Sequence, residues 1–146
     1  MIFRFVVRHG RWLGRVPLLP QIFDAWLLLA TALTNREKLR AIELLEERAV
    51  ELFHATLSVH RFGGVGFMAG DRELGHVHGN GLFDACVGRV NRDVAIAAGM
   101  ALPHHVFPRS GWVSFWIERE SDVERAVELL RMSKQADSGH GDGRVS

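Results

Sequence analysis

The sequence has one cysteine and no tyrosine, and its 18 basic and 17 acidic side chains leave a formal net charge of only +1 at pH 7. The single cysteine, Cys86, excludes an internal disulfide framework and is consistent with a reducing compartment. The absence of tyrosine removes one class of general acid. The balance of charge gives no indication of a nucleic-acid partner. We therefore expect a cytoplasmic protein that does not bind nucleic acid.

The sequence also lacks an apolar run that is long and uninterrupted enough to cross a bilayer. Residues 16–35 contain no lysine or arginine, and their length is close to the roughly 20 residues of a membrane span. However, Pro17, Pro20 and Asp24 interrupt this segment and leave a continuous apolar piece only over 25–32. We therefore predict a buried or interfacial helix here, which leaves association with a membrane open.

The amino end has a charge pattern that the overall balance hides. Arg4, Arg8, Arg11 and Arg15 recur at helical spacing, while apolar residues share another face. One interpretation is a helix that packs its apolar side on the domain and leaves the arginines in water. The other is a surface that meets anionic lipid or an acidic partner. The sequence leaves both interpretations open.

The composition indicates one soluble globular unit. Hydrophobic residues make up 47% of the chain and charged residues 24%, which are ordinary values for such a domain. Patterns along the chain divide it into three parts. We expect a helical, partly apolar extension over 1–34, an α+β core over 35–134 and a disordered tail over 135–146.

The spacing of apolar residues predicts the elements of this core. Thr34-Asn35-Arg36-Glu37 has the spacing of a capping box, which predicts a helix that runs to about His54. From Leu57 onwards the apolar period changes to two, and glycine-rich turns separate short strands. Strands are predicted over 57–62, 65–69, 72–78, 82–87 and 111–118, with helices over 91–98 and from Ser121 onwards. This order favours an α+β fold with an antiparallel sheet of about five strands covered by helices.

Five of the eight histidines lie between His60 and Trp112. Each imidazole needs partners for both ring nitrogens, so several of them in a small core are costly unless they line a polar pocket. The cluster therefore predicts where a functional site lies, but it does not indicate which reaction, if any, takes place there. Its members are His60, His76, His78, His104 and His105.

His76-Val77-His78 is the sharpest local motif. On a strand the two imidazoles project from one face, with their Cα atoms roughly 6.5–7 Å apart. That arrangement suits two ligands of a Zn or Fe ion, which needs at least a third ligand. Glu73 falls on the opposite face of this strand unless a bulge intervenes. The alternative is a pair of histidines that bond to backbone carbonyls and line a pocket without metal.

Asp84 on the next predicted strand and the segment Pro103-His104-His105 are better placed to supply the third ligand. A loop held between prolines is rigid and can position functional side chains. Adjacent residues of an extended segment point in opposite directions, so we expect only one of the two histidines to face His76 and His78.

Ser110, Trp112 and Trp116 lie at the last predicted strand. Ser110 can be combined with His104 and Asp84 into a nucleophilic triad, but the chain has no G-x-S-x-G motif. The alternative is a serine that bonds to the backbone of its own turn. The two tryptophans share a strand face and either floor a ligand cavity or pack in the core.

The candidate site therefore has a larger set of residues that could bind a ligand and a smaller set that could bind a metal ion. The candidate metal ligands within it are His76, His78 and His104, with Zn or Fe as the ion. The candidate ligand-binding residues are His76, His78, Asp84, His104, His105, Ser110 and Trp112.

Several of these motifs together resemble one family. They are Phe62-Gly63-Gly64, the run from Arg72 to Gly79, the run from Gly81 to Asp84, Pro103-His104-His105, the run from Ser110 to Phe115 and the closing run from Glu128 to Ser133. This set resembles the luciferase-domain family of small, mostly bacterial proteins, over about residues 35–134. The resemblance implies no particular activity for a stand-alone member.

Three functions are compatible with these patterns. We expect first a binding module whose histidine-lined polar groove takes a small ligand or a protein partner. The second is a metal-dependent enzyme that uses the same histidines. The third is an accessory protein at a membrane surface, which would act through the arginines and the apolar segment after them. The sequence sets neither the oligomeric state nor whether a reaction is catalysed.

Overall fold

The computed structural model describes residues 18–138, so the arginines at 4–15 and the last part of the predicted tail, 139–146, lie outside the described residues. Two helices come first, and an antiparallel sheet and further helices follow. The helices are α1 (Leu19–Thr34), α2 (Arg36–Phe53), α3 (Arg89–Ala97) and α4 (Val123–Ser138), with a 3₁₀ turn at Glu120–Asp122. The strands are β1 (Thr56–Val59), β2 (Val65–Ala69), β3 (Arg72–Val77), β4 (Leu82–Cys86), β5 (Leu102–Pro103) and β6 (Trp112–Trp116).

The six strands form one sheet in the order β1-β2-β3-β4-β6-β5, and each neighbouring pair is antiparallel. The predicted α+β class with an antiparallel sheet is confirmed. The strand that the sequence did not indicate is β5, in which Leu102 pairs with Ser114 and Pro103 with Val113. Two residues are too short for apolar alternation to be visible.

One face of the sheet carries the hydrophobic core. Phe67, Phe83 and Val113 are fully buried there and belong to the same cluster as the apolar stripe of α2 and the inner side of α4. Burial of such side chains away from water is the main favourable contribution to folding. The α2 stripe consists of Ala41, Ile42, Leu45, Ala49 and Phe53.

The start of α2 differs by one residue from the predicted capping box. Thr34 ends α1, and Asn35 is the residue that caps α2, because its side chain accepts a hydrogen bond of 3.0 Å from the backbone N–H of Lys38. Asparagine is among the best residues for this position. The helix ends before His54, whose backbone is left-handed with a φ of 54°.

The strand register brings polar side chains together on the opposite face of the sheet. His76 of β3 pairs with Asp84 of β4, and Asp84 pairs in turn with Ser114 of β6. Directly paired residues of antiparallel strands project from the same face. Their neighbours Phe83 and Val113 project into the core. The candidate site therefore lies on the side of the sheet away from α2 and α4.

A bulge in β3 changes which face Glu73 uses. Phe67 of β2 pairs with Gly75, but Met68 pairs with Glu73, so Leu74 is an extra residue in β3. One extra residue reverses the alternation of side chains beyond it. The bulge that the sequence could not reveal is present, and Glu73 therefore does not lie on the opposite face from His76.

Helix α1 turns its polar side inwards. Asp24 and Thr31 are its two buried residues, and both bond to the turn between β3 and β4. Asp24 Oδ1 accepts from the backbone N–H of Gly79 at 3.0 Å, and Thr31 Oγ1 donates to the carbonyl oxygen of Gly79 at 2.8 Å. Among the helices of residues 18–138, none has the length and apolar character needed to cross a bilayer.

The closing helix α4 continues to Ser138. It therefore includes the first residues of the segment for which we predicted disorder. The predicted division of the chain at 34 and 134 stays a prediction.

Candidate functional site

Asp84 is the centre of the polar cluster. The residue is completely buried, and its Oδ1 accepts a short hydrogen bond of 2.5 Å from Ser114 Oγ. Its Oδ2 faces three imidazoles, at 3.4 Å from His76 Nε2, 3.7 Å from His104 Nε2 and 4.0 Å from His78 Nε2. Within residues 18–138 this buried Oδ2 atom has no hydrogen-bond partner. An unpaired carboxylate oxygen in the interior is costly, so its environment needs an explanation.

His76 lies between two carboxylates. Its Nδ1 is 2.7 Å from Glu73 Oε1, and its Nε2 is on the side of Asp84. Burial by itself would lower the pKa of His76, but the two carboxylates outweigh burial and raise its pKa to about 9. In the metal-free protein at neutral pH this imidazole is therefore a cation.

His60 and Glu73 support His76 from the other side. His60 Nε2 is 3.2 Å from Glu73 Oε1, and the His60 ring stacks on the His76 ring with centroids 3.8 Å apart. Burial tends to raise the pKa of Glu73, but the two histidines lower it to about 2. His60 belongs to the histidine cluster of the sequence but was not among the candidate site residues.

Asp24 of α1 holds His78. His78 Nδ1 is 3.2 Å from Asp24 Oδ1, the same oxygen that accepts the backbone N–H of Gly79. His78 lies just after β3 and is buried. In the sequence, Asp24 stands out only as an interruption of an apolar segment. A lone carboxylate in such a segment was the available signal that a polar partner was needed.

His104 has a defined tautomer. Its Nδ1 accepts hydrogen bonds from the backbone N–H groups of Val106 at 3.1 Å and Phe107 at 3.0 Å. The proton of the neutral ring is therefore on Nε2, the atom that faces Asp84. Burial lowers the pKa of His104 to about 4, although the Asp84 charge opposes this effect. The ring is neutral at physiological pH.

His105 also approaches Asp84, but at Oδ1, whereas His104 faces Oδ2, the oxygen that His76 and His78 face. The expectation that only one histidine of the pair faces His76 and His78 stays a prediction. His105 Nδ1 is 3.7 Å from Asp84 Oδ1 and 3.4 Å from Ser114 Oγ. The backbone bends at His105 and Val106, and alternation therefore does not hold across the pair. Burial tends to raise the pKa of Asp84, but the nearby imidazoles of His105 and His76 hold it far below its usual range.

Ser110 bonds within its own turn. Its Oγ donates to the carbonyl oxygen of Phe107 at 2.7 Å and accepts from the backbone N–H of Trp112 at 3.3 Å. These bonds agree with the local interpretation and use the hydroxyl away from the imidazoles. Trp112 itself is half-buried, and its ring is 5.4 Å from the ring of His76 and 6.1 Å from that of His104.

The cluster contains seven side chains that could bind a metal ion, and each lies near the next. Within the described residues 18–138 they fall into three overlapping groups, and the ligand atoms of each group lie within 4.8 Å of one another. Only the second group is buried at all three members. The groups are His60, Glu73 and His76; His76, His78 and Asp84; and Asp84, His104 and His105.

The sequence also matches a family model, in agreement with the resemblance of its motifs. Residues 71–133 match the model of the Luciferase domain family, which confirms the resemblance over this segment. The segment runs from the residue before β3 into α4 and contains six of these seven side chains, all except His60. Asp24, which bonds to His78, also lies outside it. No curated protein and no solved structure matches the chain.

Proposed function

We propose that the cluster binds one divalent transition-metal ion through His76 Nε2, His78 Nε2 and Asp84 Oδ2, and that the bound ion takes a small ligand at its open positions. The observation that supports this most is the buried Asp84 Oδ2, which has no hydrogen-bond partner among residues 18–138 although three imidazole nitrogens lie within 4.0 Å of it. A cation at this point would pair that oxygen.

The protons of the two histidines support the same proposal. Each Nδ1 faces a carboxylate, Glu73 for His76 and Asp24 for His78, so each Nδ1 carries a proton that it donates. The lone pair of a neutral ring is then on Nε2, which faces Asp84. A carboxylate behind a histidine ligand orients the ring and raises its basicity in known metal sites.

The distances are close to those of a coordination sphere. Two ligand atoms bound to zinc at its usual bond length in a tetrahedral site lie roughly 3.3 Å apart. His76 Nε2 is 3.4 Å from Asp84 Oδ2, and His78 Nε2 is 4.0 Å from it. The ligand atoms of all three residues lie within 4.8 Å of one another, so the His78 ring would have to move inwards to complete the set.

The ligand set indicates the class of ion. Two imidazoles and one carboxylate suit Zn²⁺ or Fe²⁺ and leave positions for water or a small ligand. His104 fits a different role, because its Nε2 carries a proton and so donates rather than ligates. It would lie beside the open positions, where a donor can hold a bound anion or oxygen atom.

The second candidate is a metal-free binding pocket, and one observation favours it. His76 is already a cation between Glu73 and Asp84, because its pKa is raised to about 9. A proton can therefore stabilise the two carboxylates without an ion. In that case the cluster would be a polar wall for a small ligand.

Metal analysis distinguishes the two candidates. We expect the purified full-length protein without an affinity tag to bind close to one equivalent of Zn²⁺ or Fe²⁺ by elemental analysis after dialysis. Titration of metal-free protein with Co²⁺ should give visible d–d bands of a site with nitrogen and oxygen ligands. The variant in which both His76→Ala and His78→Ala are made should lose the equivalent of metal and the bands.

The matched control is His54→Asn. His54 is an exposed imidazole outside the cluster, and asparagine tolerates its left-handed backbone. This variant should keep the metal and the spectrum. A wild-type protein that takes up neither Co²⁺ nor Zn²⁺, or one whose uptake the double variant retains, would refute the metal proposal and leave the polar pocket.

The affinity for Zn²⁺ should depend on pH in a defined direction. The His76 proton must leave before Nε2 can bind the ion, while Glu73, with a pKa of about 2, is already ionised and His104, with a pKa of about 4, is already neutral. The apparent association constant should therefore rise by about tenfold for each pH unit above about pH 7. It should level off near the His76 pKa of about 9. Competition titrations with a chelator of known proton affinity measure this, and a constant that is flat over this range contradicts the assignment of His76 as a ligand.

A further inference from the structure

Helix α1 exposes an apolar stripe on the side away from the domain. Its members are spaced four, four, three and four residues apart, which places them on one helix face. Each has more than half of its surface exposed in the structure. They are Ile22 (64%), Trp26 (59%), Leu29 (57%) and Leu33 (77%) of the helix and Leu18 (67%), which directly precedes its first residue.

The amphipathic pattern of α1 is reversed relative to a helix that covers a core. Its buried residues are polar, Asp24 and Thr31, and they bond to His78 and Gly79. The large apolar residues of the stripe face solvent, while Leu19, Phe23 and Leu27 are half-buried. A contiguous exposed apolar surface of this kind marks an interaction site with another molecule or a membrane.

The charges around the stripe indicate what covers it. Within residues 16–35 the only charged side chain is Asp24 until Arg36 begins the next helix, and Asp24 is buried against the domain. The exposed side of α1 therefore carries no charged side chain of its own, and the exposed charges next to it are Arg36 and Glu37 at its end and Arg61 beside Gln21. Before it the sequence has Arg4, Arg8, Arg11 and Arg15 and no acidic residue at all. Cationic residues next to an uncharged apolar face with a tryptophan are the composition of helices that lie on anionic membranes.

We propose that α1 docks its apolar stripe on the surface of an anionic membrane, to which the four arginines earlier in the sequence add electrostatic attraction. The 16 residues of α1 are about 24 Å long, too short to cross the hydrocarbon layer. The helix therefore lies in the plane of the interface, where the Trp26 ring fits the boundary between headgroups and acyl chains. A helix of a second copy is a poorer match, because paired helices in water usually place charged residues beside the apolar seam.

This docking is supported by other residues than the proposed metal site, but it bears on the surroundings of that site. Asp24 on the inner side of α1 is bonded to His78, and the outer side of the same helix would face lipid. The polar cluster would then lie within one helix diameter of the membrane surface, roughly 10 Å.

Vesicle flotation with the full-length protein tests the proposal. We expect the protein to float with vesicles that contain phosphatidylserine, to float poorly with pure phosphatidylcholine, and to be released by high salt. Removing three apolar side chains from the stripe should weaken partitioning by roughly a hundredfold. The stripe variant combines Ile22→Ser, Leu29→Ser and Leu33→Ser.

A matched control removes exposed apolar side chains elsewhere on the domain. It combines Val59→Ser, Val90→Ser and Leu102→Ser, at positions that are 78%, 79% and 58% exposed. This control should float like the wild type. A separate variant with serine at the four arginines should lose the preference for phosphatidylserine, and it tests the proposal even if the stripe variant proves unstable.

Three results overturn the proposal. The first is a wild-type protein that remains below the vesicles in low salt. The second is equal flotation of the wild type, the stripe variant and the arginine variant. The third is a dimer in analytical ultracentrifugation that the stripe variant converts to monomer while neither protein floats, which assigns the face to a second copy.

Discussion

Replacing Asp84 by alanine is expected to lower the free energy of unfolding of the metal-free protein by about 3–5 kcal/mol at pH 7. The carboxylate is fully buried, accepts the Ser114 hydroxyl and holds the charge of His76. Its removal leaves a buried hydroxyl without an acceptor and a buried imidazolium with one carboxylate in place of two. Urea denaturation followed by circular dichroism measures the change.

Asp84→Asn separates the structural role of this residue from its charge. The amide keeps the volume and the acceptor for Ser114, but its NH2 group would face the N–H groups of His76 and His104, so we expect it to recover only part of the lost stability. It should nevertheless bind Co²⁺ or Zn²⁺ at least about a thousandfold more weakly, because a neutral amide oxygen is a poor ligand for these ions. Asp93→Asn is the control, since Asp93 is exposed and its ion pair with Arg92 contributes little. A loss below about 1 kcal/mol for Asp84→Ala contradicts a central role for the carboxylate.

Replacing Gly79 by alanine is expected to separate α1 from the domain. A Cβ atom at Gly79 would lie 2.5 Å from the backbone nitrogen of Leu28 and 2.8 Å from the carbonyl oxygen of Asp24. Both are backbone atoms of a helix and cannot move aside individually. We expect a loss of about 3 kcal/mol or more, together with faster hydrogen exchange of the amides of α1.

Gly99→Ala is the control for this variant. Gly99 has a φ of 67° and no atom within 4 Å of an added Cβ, so only the backbone preference is lost, about 1 kcal/mol. Thermal unfolding should therefore show a much larger decrease for Gly79→Ala than for Gly99→Ala. Equal decreases would mean that α1 does not pack on this turn as tightly as the structure indicates.

The sequence was sufficient for the fold because each large element has its own period. The apolar stripe of α2 and the alternation of β6 are local patterns, and burial of those residues enforces them. The sequence was insufficient for features of the fold that depend on contacts between residues far apart in the chain. The bulge at Leu74 depends on how β2 pairs with β3, and neither strand carries a local signal for it.

The candidate site was predictable in its middle and not at its edges. His76 and His78 are two residues apart on or next to a strand, so alternation alone places them together with Asp84 of the neighbouring strand. Asp24 is 54 residues from His78 in the chain, and only the packing of α1 brings them together. His60 meets Glu73 because β1 and β3 flank the same strand, β2, which requires the sheet order to be known.

The bond between Asp24 and His78 couples the packing of α1 on the domain to the basicity of the His78 imidazole. When α1 packs closely, the His78 ring is oriented and electron-rich. When α1 swings away, that ring loses its carboxylate. If packing of α1 raises the affinity of His78 Nε2 for a ligand, then binding of that ligand must favour the packed position of α1 by the same factor. Binding at the exposed side of α1 that shifts the helix would therefore change the affinity at His78. The exposed side of α1 and the polar cluster would be coupled through the Asp24 carboxylate, although they do not touch.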